Sequence, residues 1–175
     1  MHRLILLPLA AMLLTQCNKN GPDPASQLPP ATQTGQRTIG CLVNGQPWTP
    51  QGFDGTSNYS VDYDQGLGGS FDIRAYRYQQ QPNDNYQYLI LEGSRLHDPK
   101  TYSISDSLNT RVAFNDRRKG CYMSSLDKGT YRRGTLTITH FDLQTGIIAG
   151  TFEFTLAKPG CDTLRITRGR FDYKL

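Results

Sequence analysis

The sequence has few of the residues from which common catalytic and metal sites are built. It contains three His and two Glu among 175 residues, and no two cysteines follow the Cys-x-x-Cys spacing. Without that spacing, neither a cysteine-based zinc site nor a thioredoxin-type redox site is predicted. The Gly-x-Ser-x-Gly turn that presents a serine nucleophile in many hydrolases is also missing. The sequence therefore predicts no catalytic residues, no metal ligands and no cofactor.

Two local patterns come close to known sites without matching them. His140 and Asp142 are two residues apart on a predicted strand, hence on one face, as two members of a catalytic triad would be. Asp142 is equally well placed to cap the following turn through its side chain. Asp62 and Asp64 resemble the start of a calcium-binding loop, but Gly66 comes one position too early for that motif. We expect a turn at each place.

Positive charge is spread thinly along the chain. The 19 Lys and Arg residues exceed the 15 Asp and Glu residues and give a formal net charge of +4. The densest basic run, Arg117-Arg118-Lys119, is flanked by Asp116 and Gly120, a composition typical of a solvent-exposed turn. A nucleic-acid interface requires a larger basic face, so the sequence predicts no nucleic-acid partner.

Long apolar runs are missing as well. The longest, Leu4 to Leu14, would form a helix of only about 16 Å, whereas a membrane-spanning helix needs about 20 residues. Its basic start and the Cys17 that follows are typical of a bacterial lipoprotein signal. We predict a signal peptide over residues 1–16, a lipid on Cys17 that attaches the protein to a membrane, and a location in the bacterial cell envelope, on the periplasmic or surface side. Ordinary secretion with cleavage nearby is the alternative.

The next segment, residues 17–37, has little to bury. Four of the ten prolines of the chain lie in it, among mostly polar residues. Such a composition does not repay the entropy lost on ordering, so we predict a flexible tether between the lipid and the domain. Residues 38–175 then form one domain, which is long enough to bury a core.

That domain is predicted to be all-β, because apolar and polar residues alternate with a period of two and no helical period appears. Residues 134–141, 147–157 and 161–167 give the clearest strands and form an antiparallel meander at the C-terminus. Asn44-Gly45 between apolar residues predicts a hairpin. About nine to eleven antiparallel strands without helices fold as a β-sandwich or as a closed β-barrel, and the alternation does not distinguish the two.

Three cysteines remain once Cys17 takes the lipid. Cys121 and Cys161 each follow a turn signal, so we expect both at the same end of the domain and predict a disulfide between them. An oxidising compartment favours such a bond. Cys41 lies in an apolar strand and is then a buried thiol. A disulfide between Cys41 and one of the other two is the alternative pairing.

The first hairpin and the C-terminal third also carry an ordered set of motifs. These are Val43-Asn-Gly-Gln-Pro-Trp, Gly134-Thr-Leu-Thr-Ile-Thr, Gly150-Thr-Phe-Glu-Phe-Thr and Ile166-Thr-Arg-Gly-Arg-Phe-Asp. Their order resembles uncharacterised Bacteroidota-type envelope lipoproteins that end in GTFxF … ITxGRFD. The resemblance covers most of residues 39–173 and rests on alternating apolar positions and turn glycines. It implies an all-β envelope domain of unknown role and carries over no catalytic residues.

Tyrosine is the abundant residue with functional potential, at ten per chain. A tyrosine ring has an apolar face and a polar edge, which suits stacking on sugars or contacts with proteins. If the domain has a binding face, we expect it at Tyr76, Tyr78, Tyr86 and Tyr88, because their strands are predicted to pair. Ordinary cross-strand packing is the alternative explanation.

The predicted function is therefore a lipid-anchored envelope protein with a non-catalytic β-domain that binds a glycan or an envelope protein. Two alternatives remain. One is a hydrolase of envelope polymers that uses paired carboxylates, with Glu92 and Glu153 as the only glutamates. The other is a purely structural envelope protein.

Overall fold

The computed structural model of the protein describes residues 21–79, 85–106 and 108–175. The predicted signal peptide and Cys17 lie outside these residues. Two short 3-10 turns, Pro24–Gln27 and Arg117–Lys119, accompany the strands. The strands are β1 (Thr38–Val43), β2 (Gln46–Trp48), β3 (Tyr59–Asp64), β4 (Ser70–Gln79), β5 (Asn85–Gly93), β6 (Lys100–Ser103), β7 (Thr110–Asp116), β8 (Cys121–Ser124), β9 (Tyr131–Asp142), β10 (Ile147–Ala157) and β11 (Leu164–Lys174).

The eleven described strands form two antiparallel sheets. One has six strands in the order β2-β1-β11-β10-β9-β6, and the other has five in the order β3-β4-β5-β7-β8. The alternating side chains of both sheets meet in a single apolar core, which buries Trp48, Leu89, Leu136 and Ile166 almost completely. The fold is a β-sandwich, one of the two architectures that the sequence predicts, and it is not a closed barrel.

Strand β9 departs from simple alternation. The pairing with β10 shifts register beside Ala149, which leaves Thr139 as an extra residue on β9. A single inserted residue reverses the faces of the residues that follow it. Phe141 therefore packs on the core, with its ring centroid 4.9 Å from that of Tyr63. Simple alternation would place His140 on the same face as Leu136 and Ile138, with Phe141 on the opposite face, and the extra residue reverses this arrangement.

Cys121 and Cys161 form the predicted disulfide, with 5.9 Å between their Cα atoms. The bond joins the start of β8 in the five-stranded sheet to the turn before β11 in the six-stranded sheet. Cys161 belongs to that turn, because its N–H bonds the Lys158 carbonyl oxygen at 3.2 Å, and β11 starts three residues after it. Among the described cysteines Cys41 is unpaired and buried, and burial raises the pKa of its thiol to about 12.

The described part of the predicted flexible tether is folded onto the domain. The carboxylate of Asp172 accepts hydrogen bonds from the Thr32 hydroxyl and from the backbone N–H groups of Thr34, Gly35 and Gln36, at 2.6 to 3.2 Å. Leu28 is buried. These contacts order a segment that has almost no apolar side chains, so composition alone predicts it incorrectly as a disordered tether.

A second residue of β11 extends this attachment towards the N-terminus. The Arg170 guanidinium donates to the backbone oxygens of Pro29, Ala25 and Leu28 at 2.6 to 3.5 Å.

Within the residues that the structure describes, no helix has the length and hydrophobicity required to cross a membrane.

Candidate binding site

The four tyrosines selected from the sequence lie together on the outer face of the five-stranded sheet. In the β4–β5 pairing, Tyr76 is directly opposite Tyr88, and Tyr78 is directly opposite Tyr86. The residues between them, Arg77 on β4 and Gln87 on β5, lie against Trp48 on the core side of the sheet. The alternation therefore places all four tyrosine rings on the outer side. The predicted pairing of these strands is confirmed.

Tyr86 is the centre of this group. Its ring is nearly parallel to those of Tyr76 and Tyr88, with centroids 5.5 and 6.1 Å away, and it meets Tyr78 at an angle of 61°. Tyr76 is buried at 3 % exposure, whereas the other three rings are partly accessible. Tyr76 therefore supports the site from below, and only Tyr78, Tyr86 and Tyr88 are available to a ligand.

The loop between β2 and β3 forms one wall of the site. Gln51 exchanges backbone hydrogen bonds with Tyr76 and Tyr78, at 3.2 and 2.8 Å, so the loop lies along β4. Gly52 makes this approach feasible: its φ is +77°, and a Cβ on it would lie 2.1 Å from the Tyr78 carbonyl oxygen. The loop then places Asp54 at the rim, where its carboxylate accepts from the Tyr86 hydroxyl at 3.3 Å.

The end of β7 forms the opposite wall. Asn115 is paired with Tyr88 and shares its outer face. Arg117 follows in the 3-10 turn, and its guanidinium carbon lies 5.5 Å from the centroid of the Tyr86 ring, a cation–π distance. Asp116, between them, points inward and caps the turn by accepting from the Arg118 N–H at 3.1 Å. The Asn115 amide and the Arg117 guanidinium therefore point outward, whereas the Asp116 carboxylate between them points inward.

Together these residues border a shallow, open groove of about 610 Å³, which we name the tyrosine groove; it is lined by Asp54, Tyr78, Tyr86, Tyr88, Asn115 and Arg117. Burial and the neighbouring Asp54 charge raise the pKa of Tyr86 to about 12, so its phenol keeps its proton at physiological pH. Hydrogen bonds, chiefly from Thr56, lower the pKa of Asp54. The groove therefore offers aromatic faces, neutral hydroxyl groups, one amide, one carboxylate and one guanidinium.

A buried hydrogen-bond chain supports the groove from the core side. The Trp48 indole N–H donates to the Gln87 side-chain oxygen at 2.9 Å, and the Gln87 amide donates to Asp116 at 2.8 Å. Arg118 completes the chain with an ion pair to Asp116 at 2.7 Å. Burial alone would raise the pKa of Asp116, but the bonds from Arg118 and Gln87 outweigh it and hold that pKa below its usual value. The satisfied carboxylate fixes the end of β7 and with it Asn115 and Arg117.

The other patterns noted in the sequence have structural roles. The Asp142 carboxylate accepts from Gln144 and Thr145 in the β9–β10 turn, at 2.8 to 3.4 Å, and so caps it. Asp64 accepts from the Leu67 N–H at 3.0 Å in the same way. Among the described residues, no three His, Cys, Asp or Glu side chains converge as metal ligands would.

Within the part of the chain that the structure describes, the two glutamates do not form a facing pair. Glu92 lies on the outer face of the five-stranded sheet and the exposed Glu153 on β10 of the other sheet, so the two glutamates are on opposite sides of the sandwich. Asp62, Asp72 and Glu92 occupy directly opposed positions on β3, β4 and β5. They therefore stand side by side along one sheet rather than across a cleft. Ion pairs with arginines on the same face engage Asp72 and Glu92.

A second, narrower cavity of about 340 Å³ opens between the sheets next to the disulfide. Its apolar wall includes Val43, Phe114, Met123 and Leu164. At this end of the sandwich Lys119 and Asp162 form an ion pair at 3.2 Å. This cavity lies on the core side of β7, whereas the tyrosine groove lies on the outer side.

Sequence reasoning selected the four tyrosines but missed Asp54, Asn115 and Arg117. Asp54 follows Gly52 in a loop without an apolar pattern, and only the docking of that loop on β4 brings it to Tyr86. Arg117 belongs to the basic run that the sequence suggests is a solvated turn. A usable signal did exist for Asn115, because the alternation of β7 puts it on the face opposite Phe114. Comparison with family models, curated proteins and solved structures finds no match for this chain.

Proposed function

We propose that the chain is a lipid-anchored protein of the bacterial cell envelope whose β-sandwich binds a glycan or another envelope protein, without catalysis, through the tyrosine groove. The anchor in this proposal is a lipid on Cys17, supported by the short apolar run before it. The single observation that carries the binding role is the position of Tyr78, Tyr86 and Tyr88, which are accessible on adjacent strands between two polar walls.

The geometry favours binding over ordinary packing. A tyrosine that only stabilises a sheet needs a cross-strand neighbour. It does not need polar groups on both sides of its ring. Here the loop bearing Asp54 and the turn bearing Arg117 both border Tyr86. Concave sites that combine aromatic surface with a few placed polar groups are the usual form of ligand sites.

Capture of envelope material tests the binding role. We would purify the full-length protein from membranes in mild detergent, immobilise it, and incubate it with envelope extract, then compare it with a Tyr86→Ala/Tyr88→Ala variant. Tyr131→Ala is the matched control, because Tyr131 is 56 % exposed on the other sheet. We expect the double variant to lose the captured material and the control to retain it. Equal capture by all three proteins would contradict the proposal.

Mass spectrometry of the mature N-terminal peptide tests the anchor separately. We expect diacylglycerol on Cys17. We expect Cys17→Ser to release the protein from washed membranes, because the variant lacks the acyl chains on which stable anchoring depends. An unmodified Cys17 thiol in the mature chain would refute the lipid anchor without affecting the binding role.

A further inference from the structure

We propose that the ligand of the tyrosine groove is an uncharged glycan chain that crosses strands β5, β7 and β8 along the row Tyr88, Asn115 and Tyr122. This inference rests on the binding function proposed above and adds to it the ligand class and the direction of the chain.

The charge around the groove is balanced. Asp54 and Arg117 contribute one charge of each sign. Of the charged residues further along the same face, Arg111 pairs with Glu92 at 2.9 Å, and Arg74 pairs with Asp72. Asp62, opposite Asp72 on β3, adds one more carboxylate at the far edge of the sheet. A polyanion would require an excess of guanidinium or ammonium groups, which this face does not present among its described residues. With one charge of each sign at the groove, an uncharged ligand fits this site.

The register of the sheet defines the path. Tyr88 is directly opposite Asn115 on β7, and Asn115 is directly opposite Tyr122 on β8. The three side chains therefore form one outer row perpendicular to the strands, and the row covers two strand spacings, about 10 Å. Tyr122 is 39 % exposed. A row of this length places an aromatic ring at each end and an amide between them.

The polar groups of the row suit hydroxyl groups. The Asn115 amide both donates and accepts. The Tyr122 hydroxyl already accepts from Arg111 at 3.0 Å, which leaves its proton available for donation. Burial raises the pKa of the Tyr88 phenol, which favours the protonated hydroxyl as a hydrogen-bond donor. Hydroxyl-rich sugar rings offer matching donors and acceptors, together with apolar faces that stack on tyrosine. A protein ligand would instead insert an apolar anchor into an apolar pocket, whereas this groove is lined by tyrosines and polar side chains.

The test measures binding of the full-length protein, in detergent, to neutral hexasaccharides of glucose, mannose and N-acetylglucosamine, and to a hexasaccharide of galacturonic acid. We expect at least one neutral hexasaccharide to bind, with an affinity that is unchanged between low and high salt because no ion pair forms. Tyr88→Ala and Tyr122→Ala should each weaken it about tenfold, whereas Tyr131→Ala should not. Tyr122→Ala should leave binding of the matching monosaccharide at Tyr88 unchanged, since the two rings lie two strands apart.

The other outcomes distinguish the glycan proposal from the binding function on which it rests. Salt-sensitive binding of the galacturonic acid chain alone would overturn the uncharged class. A captured envelope protein that depends on Tyr86 and Tyr88, with no saccharide binding, would overturn the glycan but keep the proposed function. Loss of binding with Tyr88→Ala but not with Tyr122→Ala would overturn the path across the strands. Circular dichroism of each variant confirms folding, and Tyr122→Phe, which keeps the ring, should retain at least the stacking contribution.

Discussion

The Asp172 carboxylate accepts the backbone N–H of Gly35 at 2.7 Å, across 137 positions in sequence. Because Thr32, Thr34 and Gln36 donate to the same carboxylate, one buried side chain on β11 holds the segment that leads into β1. The last residue of the GRFD motif thus fastens the N-terminal segment.

Asp172→Ala should release this segment and lower the free energy of unfolding by about 3 kcal/mol, because several hydrogen bonds to a charged group are lost together. Denaturant unfolding measures the loss, and amide hydrogen exchange at residues 34–36 should accelerate. Asp162→Ala is the control. Its ion pair with Lys119 is exposed, so its effect should stay within about 1 kcal/mol. Unchanged exchange at residues 34–36 would contradict the clamp.

Stability should fall in acid. Burial alone would raise the pKa of Asp172, but the hydrogen bonds from Thr32 and the backbone outweigh it and lower that pKa, as those from Arg118 and Gln87 do for Asp116. A carboxyl group with a lowered folded pKa contributes stability that is fully present above its unfolded pKa, about 4, and is lost as pH falls through the folded value. Denaturation midpoints between pH 7 and 2 check this. Asp172→Asn should flatten the profile, and a profile flat for the natural chain would contradict it.

Reduction of the Cys121–Cys161 bond should destabilise the sandwich. The bond closes a loop across a sequence separation of 40 residues and links the two sheets, and chain entropy assigns such a loop about 4 kcal/mol. Urea unfolding with and without reductant measures the difference. A Cys121→Ser/Cys161→Ser variant should match the reduced protein and show no further response to reductant. Equal midpoints for oxidised and reduced protein would show that the bond contributes nothing.

Gly52→Ala should disturb the tyrosine groove more than Gly55→Ala. Both glycines have positive φ, but a Cβ at position 52 would lie 2.1 Å from the Tyr78 oxygen, whereas one at position 55 meets nothing within 4 Å. Backbone strain of about 1–3 kcal/mol is common to both variants. Any difference between the two variants therefore reports on the docking of the loop. The near-ultraviolet circular dichroism of the tyrosines should change only for Gly52→Ala. Identical spectra for the two variants would contradict the role of this loop.

Much of the fold could be predicted because alternation encodes it directly. The β4–β5 pairing, the Asn44-Gly45 hairpin and the Cys121–Cys161 bond all follow from local patterns. The sandwich could not be separated from a barrel, since the two share one alternation. Phe141 packs on the core because Thr139 is an extra residue on β9. The sequence around such a bulge gives little indication of it.

The candidate site could also be predicted only in part from the sequence. Tyr76, Tyr78, Tyr86 and Tyr88 share a face by periodicity, which the sequence displays. Their separation into one buried support and three accessible rings does not follow from periodicity, because the covering loop arrives from another part of the chain. Its placement depends on the positive φ of Gly52 and on backbone bonds to β4. Contacts of this kind between distant segments also explain why residues 24–36 are folded.

In the proposed function, Tyr78, Tyr86 and Tyr88 contact a ligand in the envelope. Hydroxyl-radical footprinting with mass spectrometry, applied to the protein in native envelopes and again after purification, tests it most directly. The account predicts that these three tyrosines are protected in the envelope and become reactive on purification, while the exposed Tyr131 is modified equally in both samples. Equal modification of Tyr78, Tyr86 and Tyr88 in the two samples would contradict it.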